Sequence, residues 1–199
     1  ILNSIAKGEA TVSDFDTYMN KQSEVLEASD FNMNFVTNHD ENSWSGTLKE
    51  RMGDASELLT TLVYAMPGMP LIYSGQEYDL NHRLKFFEKD SIPKTKGNTW
   101  NLLTKLGDLK NNHLAFHGGK IAASYERLTT ENENVVAFKR SKEVAEVYFI
   151  GNLSNQVQSF ILDVEGTYED LLLNKSLILN QKKIQLAPWQ YYLLNKVSP

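Results

Sequence analysis

The residues best suited to chemistry lie in one run, Phe35-Val36-Thr37-Asn38-His39-Asp40-Glu41-Asn42. Here an amide, an imidazole and a carboxylate follow directly on an apolar stretch. Side by side, Asp40 and His39 can hold neighbouring hydroxyls of a ligand. An ionised Asp40 can also favour positive charge developing on a reacting ring. Asn, His and Asp are ordinary turn formers too, so the tripeptide alone describes a polar surface turn equally well. Position gives it weight, because the ends of parallel strands are where βα barrels collect functional side chains.

Other candidates are weaker. Trp44 could stack on a flat ligand face or simply cover the rim of the fold. His82 and Arg83 read as a solvated loop, and Glu77 as a brace for the loop that holds it. His113 and His117 are four apart without a third metal ligand, so capping the end of a helix is the better reading. Trp189, Tyr191 and Tyr192 read as packing residues, with a polysaccharide-binding patch as the alternative. Phosphate-binding glycine loops, zinc spacings and Ser-His-Asp arrangements are absent.

The elements that must position these residues divide the chain. Apolar spacing predicts a helix over 11–28, capped by Ser13 with Asp16, and a strand from Phe31 to Thr37. A second helix is expected from Asp54 to Met66, ended by Pro67-Gly68, then a buried strand over Pro70–Tyr73. A third helix starts near Asn98. Strand, helix, strand, helix is the grammar of a parallel α/β structure, but two such units cannot close a barrel. Beyond Gly118-Gly119 short β-type runs take over, at 121–128, 135–139, 147–150, 160–164, 171–173 and 190–194. They predict an antiparallel Greek-key β-sandwich. The expected domains are therefore 1–118 and 119–199.

Composition excludes several classes. The 199 residues carry 41% hydrophobic and 23% charged residues, ordinary for a globular protein, and a net charge of -5. Scattered lysines and arginines argue against nucleic acid as a partner, because binding phosphates needs concentrated basic charge. The absence of cysteine removes disulfides and thiolate chemistry, and leaves the compartment open. No apolar run approaches the roughly 20 residues of a membrane span. The first residues, Ile1-Leu2-Asn3-Ser4, lack an initiator Met and a signal core, which suggests a piece of a longer protein.

The run Phe35–Asp40 resembles the fourth conserved region of glycoside hydrolase family 13, the α-amylase family, which lies on strand seven of its (β/α)8 barrel. The downstream order is similar too. Ala65-Met66-Pro67-Gly68 resembles the end of the family's penultimate barrel helix, and Met69 to Glu77 its strand eight. The charged loop Arg83–Asp90, the final helix, and a β-domain closing on Leu186-Ala187-Pro188-Trp189 follow in the family's order.

The resemblance implies the fold class: the last two βα units of a TIM-type barrel, followed by the family's C-terminal sandwich. It implies that Asp40 is the third catalytic carboxylate, which binds the sugar at the cleavage point and stabilises the transition state. His39 would contact the same sugar and Asn38 would brace the loop beside it, while Trp44 stays a candidate either for stacking on a sugar or for covering the barrel rim. Retaining hydrolysis also needs a nucleophile and a proton donor about 5 Å apart. The family's motifs for both are missing here, so the chain alone should not cleave glycosidic bonds. The implied partners are an α-glucan and the missing N-terminal barrel portion. No cofactor is expected in this chain, whereas calcium, common in the family, would be held upstream. A transglycosylase of the same family and a non-catalytic glucan-binding or structural module are the alternatives. Two βα units left without six others should expose apolar surface, so the piece is expected either to self-associate or to rearrange around Phe35 and Ile72.

Overall fold

The protein, seen in a computed structural model that describes residues 1–27, 29–180 and 183–197, pairs a helical half with an antiparallel β half. The short helix α1 (Leu2–Ala6) buries Leu2 and Ile5, and α2 (Val12–Val25) buries Val12, Phe15 and Met19. The cap of α2 lies two residues before the expected one. The Asp14 carboxylate accepts the Thr11 amide at 2.8 Å and its hydroxyl at 2.9 Å, and these bonds hold Asp14 below the usual carboxylate range. The spacing of Ser13 and Asp16 is the same, but Asp16 is taken by Arg127 of the β half at 2.7 Å. The helix ends at Val25, and position 28 of the expected span lies outside the described residues.

Strand β1 (Met33–Asn34) pairs in parallel with β2 (Met69–Pro70), Met33 opposite Met69. Between them run α3 (Leu48–Met52) and α4 (Ser56–Ala65), which make this a βαβ crossover. Both strands are shorter than the sequence suggests. Past Asn34 the carbonyl of Val36 turns away from the ladder to accept a bond from Arg51. Gly68, just before β2, has φ at 120°, and a Cβ there would collide with the Asn32 carbonyl oxygen, so only glycine fits. Helix α4 is buried all round from Leu58 to Ala65, Thr60 and Thr61 included, because it is covered by α5 (Asn98–Asn112) and by the β half.

The β half contains β3 (Ser124–Arg127), β4 (Val135–Lys142), β5 (Ala145–Asn152), β6 (Gln158–Phe160), β7 (Glu165–Asp170), β8 (Lys175–Asn180), β9 (Ile184–Leu186) and β10 (Tyr191–Lys196). Six form one antiparallel sheet in the order β3-β4-β5-β10-β7-β8, and β6 pairs with β9 separately. One face of the large sheet, through Val136, Phe138, Phe149 and Leu193, packs on the helices. The other, through Ala137, Ile150, Tyr168 and Leu194, packs on Phe160 and Leu186 of the small sheet. Burial on both faces explains why β4 and β5 read as continuous apolar runs.

The expected strand at 171–173 is instead the turn between β7 and β8. The Asp170 carboxylate accepts the amides of Leu172 and Leu173, both at 2.9 Å, which fixes a bend that their apolar side chains do not suggest. Glu165-Gly166 opens β7.

At the junction of the halves, the Lys110 ammonium of α5 is buried without a hydrogen-bond partner among the described residues. Burial, then the nearby Arg140 charge, pushes its pKa down to about 8. The folded chain therefore releases this proton before the unfolded chain does, and stability rises with pH between about 8 and the ordinary lysine value. Below that window the full cost of charging remains. Lys110→Met should stabilise the protein at pH 7 by on the order of 1–3 kcal/mol, with the gain shrinking towards pH 10. Urea unfolding at both pH values checks this, and an equal gain at both would refute it.

Candidate active site

Asn38, His39 and Asp40 follow β1 and lead into a π-helical turn, Glu41–Ser45. The turn is wound by its own side chains. Asn38 Oδ1 accepts the Glu41 amide at 2.8 Å, and the Asn38 carbonyl accepts the Asn42 amide at 2.9 Å. Asn38 thus braces the turn. His39 and Asp40 point outward, each side chain 62% exposed, with His39 Nε2 standing 3.5 Å from Asp40 Oδ2. Trp44 is exposed on the same turn.

The acids around Asp40 are engaged. Glu41 pairs with Arg51 at 3.2 Å, Glu50 with Arg83 at 2.9 Å, Glu88 with Lys85 at 2.9 Å, and Asp90 with His82 at 2.9 Å. The bond from Arg83, then the Thr47 amide, holds Glu50 down at about 2. The Lys85 amide, then His82 and the Ser91 amide, do the same for Asp90. Among the described residues, Asp40 is the carboxylate of this loop cluster that meets no lysine, arginine or amide, only the His39 ring beside it. Such a group can still accept hydroxyls from a ligand or oppose positive charge on one.

Three residues that the motif does not flag hold the loop in place. Arg51, buried on α3, donates to the Val36 carbonyl at 2.8 Å and the Gly46 carbonyl at 3.0 Å while pairing with Glu41. It thereby fixes both ends of the segment that carries Asp40. Burial pushes its pKa down, and Glu41 offsets part of that. Asn42, also buried, donates to the His82 carbonyl at 3.2 Å and accepts the Leu84 amide at 2.8 Å. Ser43 donates to the Leu84 carbonyl at 2.7 Å.

His82 and Arg83 are consumed by Asp90 and Glu50 and do not face Asp40. Glu77 accepts the Gly75 amide at 2.9 Å, which braces its own loop. His113 accepts the Ala115 amide at the end of α5, and His117 lies against Lys142. Among the described residues there is no group of three or more His, Cys, Asp or Glu that could hold a metal ion. No described helix is long and apolar enough to cross a membrane.

The family model for the α-amylase catalytic domain matches residues 3–114, more than half of the chain. The chain belongs to the α-amylase family. No curated protein matches it. Among solved structures, this α-amylase-family chain is similar to AmyB, a maltogenic α-amylase from Thermotoga neapolitana, at 16% identity and a TM-score of 0.84, covering 98% of this chain and 48% of that one. An α-amylase from Lactobacillus plantarum follows at 20% identity and a TM-score of 0.77, covering 98% and 45%. CldA, a cyclomaltodextrin glucanotransferase with three domains, gives 13% identity and a TM-score of 0.75, covering 100% and 44%. These identities establish a shared fold, and the chain spans about half the length of the structures it matches.

The α-amylase-family match covers both the strand that leads to Asp40 and Arg51 behind it. If Arg51 fixes the Asp40 loop, Arg51→Met should lower stability by about 2–4 kcal/mol, because it strands two carbonyls and Glu41. Arg51→Lys should recover little, since a single ammonium cannot reproduce the fork. Urea denaturation of both variants checks this. A loss under about 0.5 kcal/mol in Arg51→Met, the size of an ordinary surface change, would remove Arg51 from the role.

Proposed function

We propose that this chain forms the end of the catalytic barrel, over residues 1–118, and the C-terminal β-sandwich, over 119–199, of a retaining hydrolase of α-1,4-glucans. In this reading β1 and β2 are the last two strands of a (β/α)8 barrel. The observation that carries it is Asp40, outward beside His39 on the turn that follows a parallel strand, while its acidic neighbours are paired with arginines. Asp40 holds hydroxyls of the sugar at the cleavage point and strengthens that hold as the ring gains positive charge. His39 contacts the same sugar, Asn38 keeps the turn beside it in shape, and Trp44 flanks it. The nucleophile and the proton donor come from polypeptide outside these residues.

A second reading shares every one of these roles. If the acceptor is a sugar hydroxyl rather than water, the enzyme is a transglycosylase, as the likeness in fold to a cyclomaltodextrin glucanotransferase suggests. Product analysis with and without added glucose separates the two.

Phe31, Met33, Met69 and Ile72 are 46–50% exposed on or beside the two parallel strands, and Phe35 is half-buried. The remaining barrel strands would cover this face. Alone, the chain should self-associate through it, which sedimentation velocity would register as species heavier than a monomer. A single monomeric boundary across concentrations would contradict this.

The central test is a reducing-sugar release assay on soluble starch with the complete enzyme containing this chain. Asp40→Asn should lower kcat by about 10²–10³-fold or more, and the chain alone should release nothing. An unchanged rate in Asp40→Asn would end the catalytic reading and favour a glucan-binding or structural module.

A further inference from the structure

Strand β2 has one used edge and one free edge. Met69 and Leu71 turn their amides to the β1 side, donating to the Asn32 and Asn34 carbonyls at 2.7 and 2.8 Å. Successive residues of a parallel strand address opposite edges, so the Ile72 amide faces the other way, where it has no partner among the described residues. On that side a cavity of about 530 Å³ lies between β2 and α5, with Pro70, Ile72, Tyr64 and Phe116 on its wall.

Into this apolar setting α5 places Lys110, whose buried ammonium has no hydrogen-bond partner among the described residues. Its charged neighbours are cations. Arg140 on β4 disfavours its charge, and the His117 ring, also on the cavity wall, stands 3.4 Å from the Lys142 ammonium. Arg140 and Lys142 are satisfied by backbone carbonyls. Among the described residues none of Lys110, Arg140 and Lys142 is in an ion pair. A second donor is idle as well. Tyr64 is 4% exposed, and its hydroxyl has no hydrogen-bond partner among the described residues. Burial pushes it up to about 12, so it stays protonated. Two unmet donors beside an excess of positive charge call for an acceptor that is an anion.

We infer that this cavity receives a carboxylate, an Asp or Glu side chain on the first strand of the complete barrel, which pairs with the free edge of β2 and accepts from Lys110. The inference rests on the barrel reading above, in which β2 is the last strand and closure sets it beside the first. Charge complementarity selects this occupant. A second copy of the chain would cover the same edge with Phe31, Met33, Met69 and Ile72, which are apolar and would leave Lys110 unmet. Lys110 thus costs the chain stability by itself and contributes stability once the barrel closes. Removing one member of a buried pair strands the other charge, which is strongly destabilising.

The sign of one substitution tests this. Urea unfolding at pH 7 compares Lys110→Met, Lys110→Arg and Ile72→Ser in the dilute chain and in the complete enzyme containing it. In the chain, Lys110→Met should raise the folded-to-unfolded ratio about tenfold. In the complete enzyme it should lower that ratio about 10²-fold or more, and Lys110→Arg, which keeps the cation, should lose less. Titrating the Lys110 side chain by NMR reads the contact directly. Faced by Arg140, His117 and Tyr64, it should titrate near 8 in the chain, whereas the added carboxylate should keep it charged to about pH 10 in the complete enzyme.

A gain from Lys110→Met in both proteins, with Lys110 titrating near 8 in both, would overturn the inference. Ile72→Ser keeps that failure apart from failure of the barrel reading. Closure buries Ile72, so this change should cost the complete enzyme about tenfold in the same ratio and the chain little. A costly Ile72→Ser beside a gain from Lys110→Met would leave the barrel closed and overturn the carboxylate alone. If Ile72→Ser costs the complete enzyme nothing, the edge is uncovered, and the barrel reading falls together with the inference.

Discussion

The buried guanidinium of Arg140 is the point on which the two halves of this chain turn. It sits on β4, only 1% exposed, and donates to the Ser124 carbonyl at 2.8 Å, the Ala65 carbonyl at 2.9 Å, the His117 carbonyl at 2.9 Å and the Ala123 carbonyl at 3.3 Å. Ala65 is the last residue of α4, where helix carbonyls lack intrahelical partners and the dipole favours a cation. His117, Ala123 and Ser124 span the passage from the last helix to the first strand of the β half. One side chain thus fixes where the crossover helix ends and where the sheet begins. Burial pushes Arg140 down to about 10, which leaves it charged at neutral pH. An apolar residue there would leave these carbonyls without donors, a penalty of about 1–3 kcal/mol for each group stranded.

Because α4 leads into β2, what anchors α4 also aims β2 and the loop beyond it. Tyr191 on β10 reinforces the anchor, accepting from Thr61 at 3.2 Å and donating to Glu57 at 2.8 Å. Burial raises the Tyr191 pKa, so the hydroxyl stays protonated and able to donate. Arg51 repeats the logic on a smaller scale at the other strand, collecting carbonyls at both ends of the Asp40 turn. A β half that contributes no residue to the proposed cleavage site can therefore still set its geometry. Rigid support of this kind separates a carboxylate that is merely present from one held where charge develops.

The sequence shows some of this and hides the rest for physical reasons. Leu58, Leu59, Leu62 and Val63 announce α4 because helical burial imposes a period, and the Asn38-His39-Asp40 triplet is local enough to read. Cap positions were harder: Thr11–Asp14 and Ser13–Asp16 have the same spacing, and Arg127, 111 residues from Asp16, decided between them. Leu171-Leu172-Leu173 has strand composition but bends around Asp170. Arg140 and Arg51 could not be found from pattern at all. Their partners are mostly backbone carbonyls, which carry no residue signature, and an arginine at either place reads as surface. The pairing of Phe86 with Trp44 is likewise invisible, since it depends on Asn42 reaching Leu84 across 42 residues.

The Asn42 clamp also bears on how a site of this kind can work. The strands β1 and β2 share only two paired positions, too few to hold long loops in register by backbone bonding. Side chains take over: the carboxamide of Asn42 presents a donor and an acceptor to the 82–84 backbone much as a neighbouring strand would. Asp40 and the rings of Phe86 and Phe87 are consequently carried on one cross-linked pair of loops. What this pair lacks is enclosure. With Asp40 62% in solvent, the effective dielectric around it is high and its hold on a developing charge is weak. The same carboxylate gains strength only when surrounding walls and a bound ligand exclude water.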